Sequence, residues 1–275
     1  MPEAAHANGG AAVASGALGV IAGTGFYALD ALTDPETLVV ETAYGPAKVV
    51  RGYWHGRPTV FCSRHGVDHS VPPHMVNYRA NIQALVDLGV TEILAINVVG
   101  GIGHGSGALV LVDDFLDFTK QRVLTFFDGS TPEGVVHTDV SEPYDARLRD
   151  VWARAAREVG VPLTPTGVYA CFEGPRFETR AEIRMAAAAG AAVVGMTGVP
   201  EVVLAAERGL PYASLCLVAN PAAGESDVPI TVEEIMAVIA QGAQTVTSIL
   251  DRAAGILATD GAATAGTAGI ETGTR

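Results

Sequence analysis

The sequence is poor in lysine, and this shortage limits what the protein can bind. Lys48 and Lys120 are the only lysines among 275 residues, and the formal net charge is −13. Nucleic acids and acidic membranes are bound through lysine and arginine, so neither is expected as a partner. A bound anion must instead be held by a local site built from a few arginines, histidines and backbone N–H groups.

Cysteine is also scarce. Cys62, Cys171 and Cys216 all lie in apolar segments, which favours reduced core thiols over a disulfide framework or a metal cluster. His69 and His74 lack a spacing typical of zinc ligands. We therefore expect no bound metal.

Long apolar runs are missing as well. None approaches the roughly 18 to 20 residues of a membrane span, and the N-terminal stretch lacks the charged start of a signal peptide. These absences predict a cytoplasmic protein. A hydrophobic content of 49% supports one domain over 17–255, and the Ala/Gly/Thr-rich segments 1–16 and 256–275 are predicted to be mobile tails.

Apolar runs typical of strands alternate with helical patterns along the chain. The predicted strands are LGVIAG, PTVFCS, EILAINVVG, TGVYACFEG, AAVVGMT and YASLCLVAN, and the predicted helices cover 74–88, 143–159, 179–189, 200–208 and 231–253. Capping-box spacing in TRAE and TVEE marks helix starts at Thr179 and Thr231. The alternation predicts an α/β fold, a central sheet flanked by helices.

Two strand ends carry groups that suit an anion. Gly23, Thr24 and Gly25 follow the first predicted strand, where backbone N–H groups could approach a ligand closely, although a plain tight turn fits equally well. Arg64 and His65 follow the next strong strand, and they suit either a phosphate or an ordinary surface loop.

The segment FEGPRFETRAE carries an aromatic side chain beside an acid. Phe177 could stack on a heterocyclic base while Glu178 accepts a hydrogen bond from the edge of that base. A core Phe and a Glu favoured by the helix dipole would leave the same pattern.

Taken together, these motifs resemble the trimeric purine nucleoside phosphorylases and methylthioadenosine phosphorylases. The matching stretches are GVIAGTGFY, SRHGVDHSVPPHMVNYRANIQAL, NVVGGI, FEGPRFETRAE and GMTGVPEVVLAAERGLPYASLCLVAN, in the family's order from Gly19 to Asn220. The resemblance implies a single-domain nucleoside phosphorylase fold with a mixed sheet, a homotrimer, inorganic phosphate as cosubstrate, and no metal or organic cofactor.

The resemblance also implies roles for individual residues. The phosphate site would consist of Thr24, Arg64, His65, the backbone at Val98, and Thr197, while Met196 would lie against the ribose. Arg64 and His65 would hold the phosphate that attacks C1′, and Asn220 would stabilise the departing purine.

The two residues expected to contact the edge of the base predict that this base is a 6-oxopurine. An ionised Glu178 accepts the N1–H that only a 6-oxopurine carries, and the Asn220 amide can donate to N7 or O6. In the adenine-using branch of the family, an Asp matches Asn220 and a small hydroxyl residue matches Glu178. Adenine would leave buried polar groups unmatched, which disfavours it.

The residues expected beside the sugar of the nucleoside indicate that its 5′ group is apolar. Val232 and Met236 align with the wall that receives the 5′-methylthio group in the family, although a core-facing helix stripe would look the same. His137 matches a His that reaches this pocket from a neighbouring subunit. The combined prediction is phosphorolysis of S-methyl-5′-thioinosine, with a general inosine/guanosine phosphorylase and a methylthioadenosine phosphorylase as alternatives.

A non-catalytic nucleotide-binding module is a further alternative. It would use the glycine loop as a dinucleotide loop and would need an acid about 20 residues on, for which Glu41 is the candidate.

Overall fold

The described residues form one mixed sheet with helices on both faces. The computed structural model describes residues 16–23, 26, 31–66, 70–226 and 231–267, with side chains described as far as residue 260. Ten strands, numbered in chain order, are β1 (Ala17–Ala22), β2 (Thr33–Thr42), β3 (Gly45–Trp54), β4 (Arg57–Ser63), β5 (Val90–Gly101), β6 (Leu109–Leu111), β7 (Asp114–Phe118), β8 (Val168–Phe172), β9 (Ala191–Gly195) and β10 (Tyr212–Pro221). The helices are α1 (Tyr78–Asp87), α2 (Ala146–Glu158), α3 (Arg180–Ala188), α4 (Gly198–Glu207) and α5 (Val232–Thr267).

The strand order is β2-β3-β4-β1-β5-β9-β8-β7, and β10 pairs with both β5 and β6. Strand β5 is parallel to β1 and β10 but antiparallel to β9. The predicted α/β fold with a mixed sheet is therefore confirmed.

The sheet opens beside the middle of β5. On one edge, β10 accompanies β5 from Ile93 to Gly101. On the other edge, the pairing with β1 ends at Ala95, and the pairing with β9 begins only at Gly100. The sheet therefore leaves a crevice beside residues 96–99, at the carboxyl ends of β1 and β4, where ligands bind in open α/β sheets.

Two apolar cores cover the faces of the sheet. One packs Ile82 of α1 and Val202 of α4 against strand residues such as Val60, and the other packs Trp152 of α2 and Ile249 of α5. All three cysteines are buried and free, and burial raises the pKa of each thiol to about 12. The predicted core thiols are thus confirmed.

Several boundaries differ from the predictions. Helix α1 begins at Tyr78 rather than at residue 74, because the segment after Pro72 forms a short 3-10 turn and Asn77 caps the helix. At the other end of the chain, α5 continues past residue 255, where the sequence places the domain boundary. Ile256 and Leu257 lie on its buried side, which joins this part of the predicted tail to the core.

None of the helices in the described part of the chain is long and apolar enough to cross a membrane.

Candidate active site

Arg64 and His65 meet the first glycine of the loop at the mouth of the crevice. A methyl group on Gly23 would lie only 3.0 Å from Nη1 of Arg64 and 3.3 Å from Cδ2 of His65. A side chain here would have to displace Arg64 or His65 by a few tenths of an ångström, so glycine favours the close approach of these segments. Thr24, the side chain that the sequence assigns to this loop, lies outside the described residues.

The guanidinium of Arg64 is buried and anchored by Glu201 of α4. Nε donates to Oε2 and Nη2 to Oε1, each at 2.6 Å, and the hydroxyl of Tyr212 donates to Oε1 at 2.7 Å. Burial by itself would lower the pKa of Arg64, but the charge and hydrogen bonds of Glu201 outweigh it and raise that pKa. Arg64 therefore stays a cation inside the crevice.

The imidazole of His65 is oriented by the chain that follows it. Nδ1 lies 2.8 Å from the carbonyl oxygen of Val71, so this nitrogen carries a proton and donates it. The opposite side of the ring, with Nε2 and Cδ2, lies against Gly23. This orientation places Nε2 on the side of the ring that lies beside Gly23.

Thr197 lies two residues after the end of β9, the strand that pairs with β5 beyond the point where β1 ends. It reaches the crevice from there. Its hydroxyl donates to Oδ1 of Asn97 at 3.0 Å, and Nδ2 of Asn97 donates to Ser214 at 2.7 Å. Val98 follows Asn97 on β5 and is half-buried. Arg64 thus contacts Ile96, Thr197 contacts Asn97, and His65 lies beside Gly23, so these side chains and the backbone at Val98 border the same part of the crevice. Their roles in binding phosphate stay a prediction.

Glu178 is the most unusual acid of this region. It is 9% exposed, and Oε1 has no hydrogen-bond partner within the described structure. Desolvation raises the pKa of this carboxyl above its ordinary value. It borders a cavity of about 330 Å³, which the stacked rings of Phe118 and Phe172 also line. An acceptor of this kind beside a cavity is a group that a bound ligand could satisfy.

Phe177 and Met196, the other residues predicted to contact the nucleoside in this region, lie near Glu178. Phe177 is 44% exposed, so it is not a core Phe. The sulfur of Met196 would lie 2.5 Å from a methyl group on Gly174, whose φ of 64° also favours glycine. Met196 therefore packs against the loop that leads to Phe177 and Glu178.

Asn220 lies at the end of β10 beside Gly100. Its Nδ2 donates to the carbonyl of Pro221 at 2.7 Å, which fixes the amide plane and uses one of its two hydrogens. Four residues on, Gly224 packs against the side chain of Arg180, two residues after Glu178. The loops that carry Asn220 and Glu178 are therefore neighbours.

The apolar pair at the start of α5 is exposed in the single chain. Val232 is 65% and Met236 is 46% exposed, whereas Ile239 is 2% exposed. The alternative of a core-facing stripe is therefore wrong for Val232 and Met236, whereas Ile239, about one turn further along α5, is buried. Gly242 of α5 contacts Leu217 of β10, and Asp251, further along the helix, accepts from Nε1 of Trp54 beside the amino end of β4. Since β4 and β10 run in the same direction, the first turns of α5 lie toward the Asn220 end of β10.

His137 is exposed in the irregular segment between β7 and α2. The contacts described for the single chain do not connect it to the other predicted site residues, and its predicted role in a neighbouring subunit stays a prediction.

Two buried residues of this region were missed in the sequence. Glu201 could have been found, because it is a lone acid in the apolar run VPEVVLAA. Arg122 carries no such signal, since it lies in an irregular segment. Its guanidinium donates to the carbonyls of Val199, Phe172 and Glu173, at 2.7, 3.2 and 2.8 Å, and so joins the Glu178 loop to the start of α4.

Comparison with known proteins shows the family to which the chain belongs. The family model described as Phosphorylase superfamily matches residues 17–254. A probable 6-oxopurine nucleoside phosphorylase of Thermococcus kodakarensis is 46% identical over 242 residues, 86% of this chain and 91% of that protein. A probable S-methyl-5′-thioinosine phosphorylase of Xylella fastidiosa is 47% identical over 229 residues, 82% of this chain and 96% of that protein.

A solved structure, methylthioadenosine phosphorylase from Schistosoma mansoni in complex with adenine, superposes with a TM-score of 0.84. It is 32% identical, and the match covers 89% of this chain and 92% of that one.

The chain therefore belongs to the phosphorylase superfamily. Its resemblance to purine nucleoside phosphorylases is confirmed, and with it the prediction of an enzyme of the pentosyltransferase class.

The binding-module alternative is wrong. Besides the family match, Glu41 lies exposed on β2, which β3 and β4 separate from the glycine loop after β1. It cannot serve as the ribose acceptor beside that loop.

Proposed function

We propose that the protein catalyses phosphorolysis of a 6-oxopurine nucleoside, preferably S-methyl-5′-thioinosine. The products are hypoxanthine and 5-methylthioribose 1-phosphate. Inorganic phosphate is the cosubstrate, and the proposal requires no metal or organic cofactor.

The phosphate half of the site rests on the cluster beside β5. Arg64 contributes a permanent positive charge, and His65 and Thr197 add polar groups around the same opening. The backbone at Val98 and Thr24 of the glycine loop complete the proposed cradle. An anion held there can attack C1′ as the glycosidic bond breaks, which places the nucleophile and stabilises the oxocarbenium-like state.

Glu178 is the observation that carries the base assignment. Its Oε1 is buried and has no donor among the described residues, so a ligand that brings an N–H to it would satisfy this acceptor. A 6-oxopurine supplies N1–H, whereas adenine presents a bare N1 acceptor. Phe177 offers its exposed ring for stacking on the same base.

Asn220 is proposed to stabilise the leaving base. The bond to Pro221 holds the amide, and its second hydrogen is directed to N7 as negative charge develops there. A neutral amide can donate to the oxopurine, while the Asp of the adenine-using branch cannot donate when ionised.

The 5′ assignment rests on the exposed apolar pair Val232 and Met236. In water such a pair gains from covering a methylthio group, and Met196 would lie against the ribose between the two ends of the ligand. We further propose a homotrimer in which His137 of a neighbouring copy completes this pocket.

A general 6-oxopurine nucleoside phosphorylase is the second candidate. It is favoured by the relative of that name from Thermococcus kodakarensis, and it assigns the same roles to Glu178 and Asn220. It differs in giving Val232 and Met236 no part in substrate choice.

Phosphate dependence tests the proposal. Incubation with S-methyl-5′-thioinosine should release hypoxanthine only when phosphate is present, with one sugar phosphate formed per base. Release of base in phosphate-free buffer at the same rate would show hydrolysis and contradict the proposal.

A further inference from the structure

We propose that Glu201 is a positioning residue for the phosphate nucleophile. It would hold Arg64 in the one orientation that presents a fixed edge of the guanidinium to the phosphate. The inference rests on the proposed function, because it takes the opening beside Gly23 as the phosphate site.

The five N–H groups of Arg64 fall into two sets, those on the edge bound by Glu201 and those on Nη1. Nε and Nη2 are engaged by Glu201 at 2.6 Å each, a paired arrangement that fixes the guanidinium plane. Among the described residues, Nη1 makes a single long contact of 3.4 Å to the carbonyl of Ile96, and it lies closest to Gly23. The edge bound by Glu201 is thus engaged, and the Nη1 edge lies beside Gly23.

Glu201 is itself fixed from two sides. The hydroxyl of Tyr212, at the start of β10, donates to Oε1 at 2.7 Å. The carboxylate also belongs to α4, whose N-cap residue, Thr197, contacts Asn97 on β5. Thr197 and Glu201 are only four residues apart, although the backbone at Val199 between them is not helical. One short segment therefore supplies Thr197 and, through Glu201, the anchor of Arg64.

Stability alone gives little reason for this buried pair. Replacing a buried ion pair with apolar residues of similar size is often neutral or stabilising. The pair is nevertheless almost fully buried, at 1% and 2% exposure of the two side chains. An orienting role for Arg64 supplies the reason that stability does not.

The chain offers a matched control at the other end of β5. Glu92 is also a buried carboxylate, bonded to Arg57 at 2.5 Å and to Arg147, but it lies near the amino end of that strand. Glu92→Gln removes the same chemistry away from the crevice.

The experiment measures steady-state kinetics against phosphate and against nucleoside separately, for the wild type, Glu201→Gln, Glu201→Asp, Tyr212→Phe and Glu92→Gln. Thermal unfolding and circular dichroism select the folded variants. Tyr212→Phe keeps both bonds from Glu201 to Arg64, and Glu201→Asp keeps the charge but shortens the reach.

We expect Glu201→Gln and Glu201→Asp to lower kcat/KM for phosphate about tenfold or more, with the nucleoside KM within about twofold of wild type. Tyr212→Phe should have a smaller effect of the same kind. Glu92→Gln should leave both kinetic constants unchanged, even where it lowers the melting temperature.

Equal effects of Glu201→Gln and Glu92→Gln on kcat/KM for phosphate would overturn the inference, because both changes would then act through stability. An Asp variant with wild-type phosphate kinetics would overturn it too, since charge alone would suffice. If neither Glu201 variant folds, unchanged phosphate kinetics in Tyr212→Phe would count against the inference. Failure of the proposed function gives a different result, no phosphate-dependent base release by the wild type.

Discussion

The guanidinium of Arg64 and the carboxylate of Glu201, 137 residues apart in sequence, form two hydrogen bonds of 2.6 Å in the buried centre of the molecule. The pair joins the end of β4 to α4 and leaves Nη1 of Arg64 beside Gly23. A structural ion pair and a proposed anion site thus share one side chain.

Because Arg64 belongs to both the ion pair and the proposed anion site, we expect substitutions to separate the stability of the protein from its activity. Arg64→Met should lower the free energy of unfolding by about 3 to 5 kcal/mol, because it leaves Glu201 buried without a cation. Adding Glu201→Met should restore much of that loss in urea titrations, while phosphate-dependent turnover stays absent. A double variant as unstable as the single one would contradict the ion-pair account.

Glu178 predicts a pH dependence of activity. Burial raises the pKa of this carboxyl, and only the ionised form accepts N1–H. For a 6-oxopurine nucleoside, kcat/KM should therefore fall with decreasing pH through a value above the ordinary range of Glu. Glu178→Gln should lose this acid limb. A limb that persists unchanged in the variant would assign it to another group.

The same shift predicts a pH dependence of stability. An acid whose pKa is raised by folding stabilises the fold below its unfolded pKa, and this contribution is lost as pH rises through the folded pKa. Glu178→Gln should therefore melt above the wild type at neutral pH, and the difference should shrink on acidification. Melting curves at several pH values measure this, and a constant difference would contradict it.

The base edge predicts a reversal of preference. Glu178→Ser combined with Asn220→Asp should shift the ratio of kcat/KM toward 6-aminopurine nucleosides. The expected change is about a hundredfold, the scale of discrimination by matched buried hydrogen bonds. Each single variant serves as a control for lost activity without a changed preference. No shift at all in the double variant would show that these residues do not contact the base edge.

The proposed contact of Val232 with the 5′-methylthio group can be tested by comparing two exposed valines. Val232 and Val39 are 65% and 61% exposed, so Val→Thr at either position should change stability by less than about 0.5 kcal/mol. Val232→Thr should lower the preference for methylthioinosine over inosine about tenfold, while Val39→Thr should not. Equal ratios in both variants would exclude Val232 from the pocket.

The sequence predicts the middle of the fold well because its signals there are local. The apolar runs that became β1, β4, β5, β8, β9 and β10 are long, and the Thr179 capping box forms with both of its hydrogen bonds. Strand β2 was missed because it is an edge strand of mostly exposed residues and carries no buried run. Strand β3 was missed because its buried residues are separated by exposed or half-buried ones, so it has no continuous apolar run. Strands β6 and β7 were missed because they are short.

The site was predictable only in part for the same reason. Arg64, His65, Thr197 and Glu178 follow strands and could be found as residues at strand ends. The contacts of Arg64 with Glu201 and of Arg122 with Val199 span long sequence distances, and no local sequence pattern predicts them. That Val232 and Met236 are exposed while Ile239 is buried is likewise decided by how α5 packs on β10.

The substrate preference is tested most directly by kcat/KM with phosphate for methylthioinosine, methylthioadenosine, inosine and guanosine, measured side by side. We expect the highest value for methylthioinosine, with inosine and guanosine well above methylthioadenosine. Turnover of inosine equal to that of methylthioinosine would remove Val232 and Met236 from the site. A preference for methylthioadenosine would contradict the roles given to Glu178 and Asn220, and with them the proposed function.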